Sequence, residues 1–279
     1  MQNIVSRMFQ KLCDPAEPEK RTLSIHQEHE VLLKLEKAGL NSWDAQRIIQ
    51  SKGNVIAEEM LHVLRNGLYE PTKSHEMARE IMKNNFFGIA DVMEQFGIRP
   101  TREQLKALAD IPYSKATLEA CKDTHVLVAV FPMSILQMAE NEFFRPLFNV
   151  NINKQEKNLW FKKERFSWDE GTVRWYLICK NPPESSFLKN WAEQLGQFGT
   201  ESDPAQIRIA VYATLGYFLK TGMRLFKEGM ARCAELDMSG RRVTIGPFKD
   251  DGIRIQAWWD DSKAYFVGAT SVRKTESEL

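Results

Sequence analysis

The chain has 279 residues, 43% hydrophobic and 27% charged, with a formal net charge of +1. That balance excludes a disordered or fibrous chain and a highly basic protein that coats nucleic acid through bulk charge. The length lies near the point where single cores give way to two domains.

Residues 2 to 12 place Ile4, Met8 and Leu12 at helical spacing, and Asp14 to Lys20, with prolines at 15 and 18, read as a linker. Residues 1–21 therefore form an N-terminal helix and linker. The N-terminus lacks an apolar stretch fit for a secretory signal. Ile207 to Leu219, the most apolar later run, contains Arg208 and is too short to span a bilayer. Cys13, Cys121, Cys179 and Cys233 include no C-x-x-C pair, so neither a zinc framework nor a stapled secreted domain is expected. The expectation is a cytoplasmic protein with reduced thiols and no membrane span.

From Ile25 the helical period is strong. Val31, Leu32, Leu35 and Leu40 share a face and Gly39 stops the helix; Ser42 can cap a second helix to Ile49, and Asn54 a third to Leu64 before Asn66-Gly67. The order K-A-G-L, S-W-D-A-Q-R-I-I-Q, K-G-N-V-I-A-E-E-M-L resembles the ubiquitin-associated domain family over residues 28–66, resting on Gly39, Ala45, Gly53-Asn54 and Ala57. The resemblance implies a three-helix shape and a protein-binding patch around Ala38, Gly39 and Leu40. The chain departs from that family in carrying Ala-Gly-Leu where Met-Gly-Phe is common.

His75 to Lys83 begins another helix. Ile89 to Phe96, a turn at Gly97 to Pro100, and Thr101 to Ala109 make a helix-turn-helix arrangement in which Thr101 and Gln104 have capping-box spacing. As a DNA reader it would present Arg102, Gln104 and Lys106, but Met93 and Glu103 fit that role poorly and plain packing is the preferred reading. After a short helix from Ser114 to Cys121, the apolar run from His125 to Phe131 reads as a buried strand. The boundary between a helical domain, residues 22–121, and an α+β domain, residues 122–279, is placed there. His125 reads as a satisfied structural histidine.

Six of the seven tryptophans lie between Trp160 and Trp259. Residues 157 to 180 read as two strands around an acidic turn at Asp169-Glu170-Gly171, a β-hairpin interleaving Trp160, Trp168 and Trp175 with Lys162, Lys163, Arg165 and Arg174. Cations that neutralise phosphates beside rings that stack on bases make this strip the leading candidate for single-stranded nucleic acid or nucleoprotein binding. Lys154 and Lys157 extend it. A helix from Ser185 or Ser186 to Leu195 and a longer one opening at Pro204 follow, then strands at Met230–Leu236, Arg242–Phe248, Ile253–Trp259 and Ala264–Ala269. The fold class is α+β: an N-terminal helical bundle, then an antiparallel sheet domain with one or two covering helices.

No catalytic, metal or cofactor residue emerges. Asp250 with Asp261-Ser262-Lys263 loosely resembles the D…D-x-K pattern of metal-dependent nucleases, but these residues fall in turns. His26 and His29 lack a third ligand nearby, and phosphate-loop, dinucleotide and nucleophile-elbow motifs are absent. Asn84 to Gly88, Cys121 to Pro132 and Trp258 to Asp261 are similar to bacterial proteins with no attached chemistry. The expectation is a non-catalytic binding protein acting through the basic/aromatic hairpin; the alternatives are a protein-interaction adaptor using the N-terminal bundle, or a metal-dependent nuclease.

Overall fold

A computed structural model describes residues 23–149 and 159–279. The expected helix at residues 2 to 12, its linker, Lys154 and Lys157 lie outside the described residues. The chain divides into two compact units, residues 1–68 and 69–279.

The first unit holds three helices. Helix α1, Ile25–Lys37, starts at a capping box in which Ser24 and Gln27 satisfy each other's backbone N–H groups. Gly39, at φ +106°, turns the chain in a region open to glycine, and Leu40 N–H donates to Leu35 O at 2.9 Å. Helix α2, Ser42–Gln50, is capped one residue earlier than the sequence suggests: Asn41 Oδ1 accepts from Trp43 N at 2.9 Å and Asp44 N at 3.2 Å. Asn41 wins because Asp44, three residues on, returns a bond to its N–H. Helix α3, Val55–Asn66, ends at Gly67. Of these three helices, only Ala57 contributes a fully buried residue.

The second unit begins with α4, Lys73–Met82; β1, Phe86–Phe87; α5, Ile89–Phe96; α6, Arg102–Ala107; and α7, Lys115–Cys121. The Thr101–Gln104 capping box forms at the expected spacing. Next come β2, His125–Val130; α8, Ile135–Glu140; β3, Arg174–Cys179; α9, Trp191–Leu195; β4, Ser202–Pro204; and α10, Ile207–Thr221. The chain closes with β5, Met230–Leu236; β6, Arg242–Lys249; β7, Gly252–Trp258; β8, Val267–Ala269; and β9, Ser271–Arg273.

The α+β class holds, with two mixed sheets in place of one antiparallel sheet. One has the order β1-β2-β3-β9-β4, the other β7-β6-β5-β8. Most pairs are antiparallel; the short outer strands β1 and β8 join β2 and β5 in parallel. Helix α10 touches strands of both sheets, and every residue from Ile207 to Tyr217 is buried. A helix apolar all round is a helix packed on all sides. Its start differs from expectation: Pro204 belongs to β4, paired with Ser271, and Gln206 is the N-cap.

Residues 69–121, read from the sequence as part of the helical domain, pack into the core of the second unit. Ala78, Met82, Val92 and Leu118 share one apolar cluster with β2, β3 and α10. The apolar faces of α4, α5 and α7 are spent there, which is why the compact units meet at Leu68–Tyr69.

The hairpin expected between Trp160 and Trp175 is corrected. Residues 174–179 do form β3, paired with β2 and β9, but Trp160–Lys163 and Arg165–Ser167 are short 3₁₀ turns. Phe161, Glu164, Phe166 and Ser167 are all buried. That set does not alternate, so no strand could place it inside.

Candidate functional site

The turns separate the residues of the expected nucleic-acid strip. Trp175 is 2% exposed; its Nε1–H donates to Leu108 O at 3.0 Å, and the ring packs against His75 and Phe86. Trp160 is half-buried and donates from Nε1 to Ile255 O at 2.7 Å. Of the three strip tryptophans only Trp168 is exposed, at 62%, its indole fixed by a 3.0 Å bond to Lys162 O. Lys162 pairs with Glu140 at 2.8 Å, and Arg174 pairs with Glu278. Lys163 and Arg165 are exposed. What stays together at the surface is therefore Trp168 with Lys162, Lys163 and Arg165.

The nuclease-like residues do not come together. Asp250 precedes β7 and Asp261 follows it, so the length of that strand lies between them. Asp250 pairs with Arg224 at 2.9 Å, and Lys263 with Glu193 at 2.7 Å. Among the described residues no group of three His, Cys, Asp or Glu side chains is placed to hold a metal ion. No helix among them is long and apolar enough to cross a membrane.

His125 is half-buried beside Thr124, whose Oγ1 lies 2.8 Å from its Nδ1. Burial first, then Arg273 and Lys180, pushes its pKa down to about 4, so the imidazole is neutral at physiological pH. His75 is a packing residue: its Nε2 lies 2.7 Å from Leu108 O and its Nδ1 3.1 Å from Tyr69 Oη.

The first unit presents a different kind of surface. Leu23, Ile25, Val31, Trp43, Ile49, Val55, Val63, Leu64 and Leu68 are nine of the twenty exposed large apolar side chains among the described residues, in less than a fifth of those residues. Trp43 is 65% exposed, and Arg47, one turn along α2, lies over its ring at 4.8 Å. Residues 23–68 carry six acidic and five basic side chains, so the surface is nearly neutral. Ala38 and Gly39 are exposed at the α1–α2 turn, with Leu40 half-buried.

Two arginines are buried, a placement the sequence did not reveal although Arg208 stands out in its apolar run. Arg232, fully buried on β5, donates from Nη1 to Lys189 O at 3.2 Å and Gln194 Oε1 at 2.9 Å, and from Nη2 to Trp259 O at 3.2 Å and Ser262 O at 2.7 Å. It ties the Trp259–Ser262 turn to α9. Arg208, second in α10, is 2% exposed, and its Nε and Nη1 are sealed without a hydrogen-bond partner. Its guanidinium lies under Gly171, where a Cβ would stand 2.0 Å from Nη2 and 2.2 Å from Cζ. Nearby, Glu235 accepts from Ile207 N at 2.9 Å. Burial, reinforced by Asp169, pushes its carboxyl up to about 7.

A cleft of about 730 Å³ lies between α4, α7 and the Lys83–Asn85 turn. Lys83, Lys115 and Lys122 face Glu80, Glu119 and Asp123 across it, so it selects no single charge. A smaller cavity of about 170 Å³ borders the start of α10, lined by Tyr176, Gln206 and Ile209 among others.

No family model, curated protein or solved structure matches the chain.

Proposed function

We propose that the protein is a non-catalytic adaptor whose three-helix unit binds a protein partner through apolar contact. The observation that carries this reading is the concentration of exposed apolar side chains on a unit that buries little of its own. The crowding of exposed apolar side chains into so small a unit supports an association surface there. Its near-neutral charge favours a partner offering a complementary apolar patch over one steered by charge. Trp43 is the anchor expected of such a contact, because aromatic side chains dominate interface energetics.

The test is a photo-crosslinking residue in place of Trp43 in the full chain, expressed in the producing cells, with Tyr265 of the second unit as the control position. A discrete heterologous adduct formed from position 43 and not from 265 supports the reading. No adduct, the same adducts from both positions, or only an adduct with a second copy of the chain would overturn it.

A second reading rests on Trp168. An exposed indole, held by its N–H beside Lys162, Lys163 and Arg165, supports association with single-stranded nucleic acid at that turn. Salt-titrated binding of single-stranded RNA and DNA tests it, with Lys162, Lys163 and Arg165 changed to Glu. Unmeasurable affinity at low salt, or no loss in the folded variant, removes it.

A further inference from the structure

The turn that ends α4 holds a lysine in a conformation its Cβ disfavours. Lys83 follows Met82 at φ +50° and ψ −117°, a region open to glycine and strained for other residues. Two residues on, Asn85 is held from three sides. Its Oδ1 accepts from Tyr217 Oη at 3.0 Å and from Lys180 Nζ at 3.4 Å, and its Nδ2 donates to Lys122 O. Groups from α10, from the residue after β3 and from the end of α7 thus fix the turn, and the strain at Lys83 persists because its surroundings impose it.

Lys83 lines the cleft of about 730 Å³ between α4 and α7, a size that suits a small-molecule site. Both helices finish there, α4 at Met82 and α7 at Cys121, and so bring the negative ends of their dipoles to it. A lysine after a helix end answers that potential, as Lys122 does from helical backbone. Lys83 could do the same without strain, so the dipole does not account for its conformation. Within the cleft Lys115 and Glu119 pair with each other at 3.7 Å. Glu80, Lys83 and Lys122 form no ion pair with any described residue, and Asp123 stands within electrostatic reach of Lys180. Ammonium and carboxylate groups without close partners therefore share the cleft with the apolar side chains of Met77 and Ile81.

We propose that this cleft binds a small zwitterion with an apolar body, a free amino acid or a dipeptide. Its ammonium group meets Glu80 and Asp123 near the helix ends, its carboxylate meets Lys83 and Lys122, and its side chain rests on Met77 and Ile81. A ligand carrying only one of the two charges leaves the opposite set unanswered, so both termini are read. The imposed backbone at Lys83 sets where that side chain leaves the turn and keeps its ammonium at the cleft. This site lies in the second unit and does not depend on the adaptor reading.

The experiment is a nuclear magnetic resonance titration of the full chain with L-leucine, Leu-Leu and Met-Met, each beside its N-acetyl and C-amide forms. The amides of Lys83, Asn85 and Lys122 are followed. A saturable shift of all three is expected with at least one zwitterion, and either blocked form should bind about tenfold or more weakly. Leucine binding as tightly as the dipeptides assigns the ligand to free amino acids; binding of the dipeptides alone assigns it to short peptides. Lys83→Gly suits the backbone and removes the ammonium, so its Tm should equal or exceed that of the parent while the penalty for amidation shrinks. Glu80→Gln should instead shrink the penalty for acetylation. No saturable shift with any zwitterion, equal affinity for blocked and unblocked forms, penalties unchanged in the two variants, or a lowered Tm for Lys83→Gly would overturn the proposal.

Discussion

Trp175 and Trp168 share a residue type and lie seven positions apart, yet the structure assigns them opposite energetic roles. Truncating Trp175, 2% exposed among Phe86 and His75, removes a large core side chain, for which about 3–5 kcal/mol is expected. The lost indole hydrogen bond adds little to that figure. Leu108 O keeps the 2.7 Å contact with His75 Nε2, so no buried acceptor is orphaned. Truncating Trp168, 62% exposed, forfeits one solvent-exposed bond to Lys162 O and should cost at most about 1 kcal/mol. With a urea m-value of about 3 kcal/mol/M, Trp175→Ala lowers the midpoint by about 1–1.7 M and Trp168→Ala by less than about 0.3 M. Far-ultraviolet circular dichroism follows both without relying on the fluorescence being removed. Equal shifts for the two variants, or a Trp175→Ala loss below about 1 kcal/mol, would refute the placement of Trp175 in the core.

Arg232→Met should destabilise the second unit by about 3–5 kcal/mol in urea, because it leaves four acceptors without their donor. A neutral result would contradict the role given to that arginine. His125 has a folded pKa of about 4 against an ordinary value of 6.5, a base held neutral. The unfolded chain therefore binds its proton first, and stability present above pH 6.5 is lost as pH falls toward 4, by up to about 3 kcal/mol. His125→Gln should flatten that limb of the stability–pH curve. Glu278 is held down to about 2, first by its hydrogen bond from Arg174 and then by Thr275. Its contribution is full above pH 4.5 and lost as pH falls toward 2, so Glu278→Gln should blunt acid unfolding in that lower window.

Much of the secondary structure was legible because period and punctuation agree. The run from His125 to Val130, the strands beginning at Met230 and Arg242, and the Thr101 cap all carry local signals that packing reinforces. The hairpin was misread because aromatic and β-branched composition imitates a strand. Burial at Phe161, Glu164, Phe166 and Ser167 follows turn geometry, which composition does not encode. The α+β class was readable, but not its division into two mixed sheets around α10. Strand β1 is two residues long, too short to leave a periodic signature, and the strand expected at Ala264–Ala269 shortens to Val267–Ala269, whose parallel pairing with β5 no local pattern encodes. Of the candidate sites, the exposed state of Ala38-Gly39 follows from a glycine turn visible in the sequence. Arg208 was visible only as an interruption in an apolar run, since its isolation from carboxylates is a fact of long-range packing.

The adaptor account is tested most directly by calorimetric binding of the protein captured from position 43 to the full chain and to its Trp43→Glu variant. A loss of affinity of about tenfold or more, equivalent to about 1.4 kcal/mol, is predicted, with the helix content of the variant unchanged. Equal affinity for the parent and for a folded Trp43→Glu variant would contradict the claim that the three-helix unit carries the interaction.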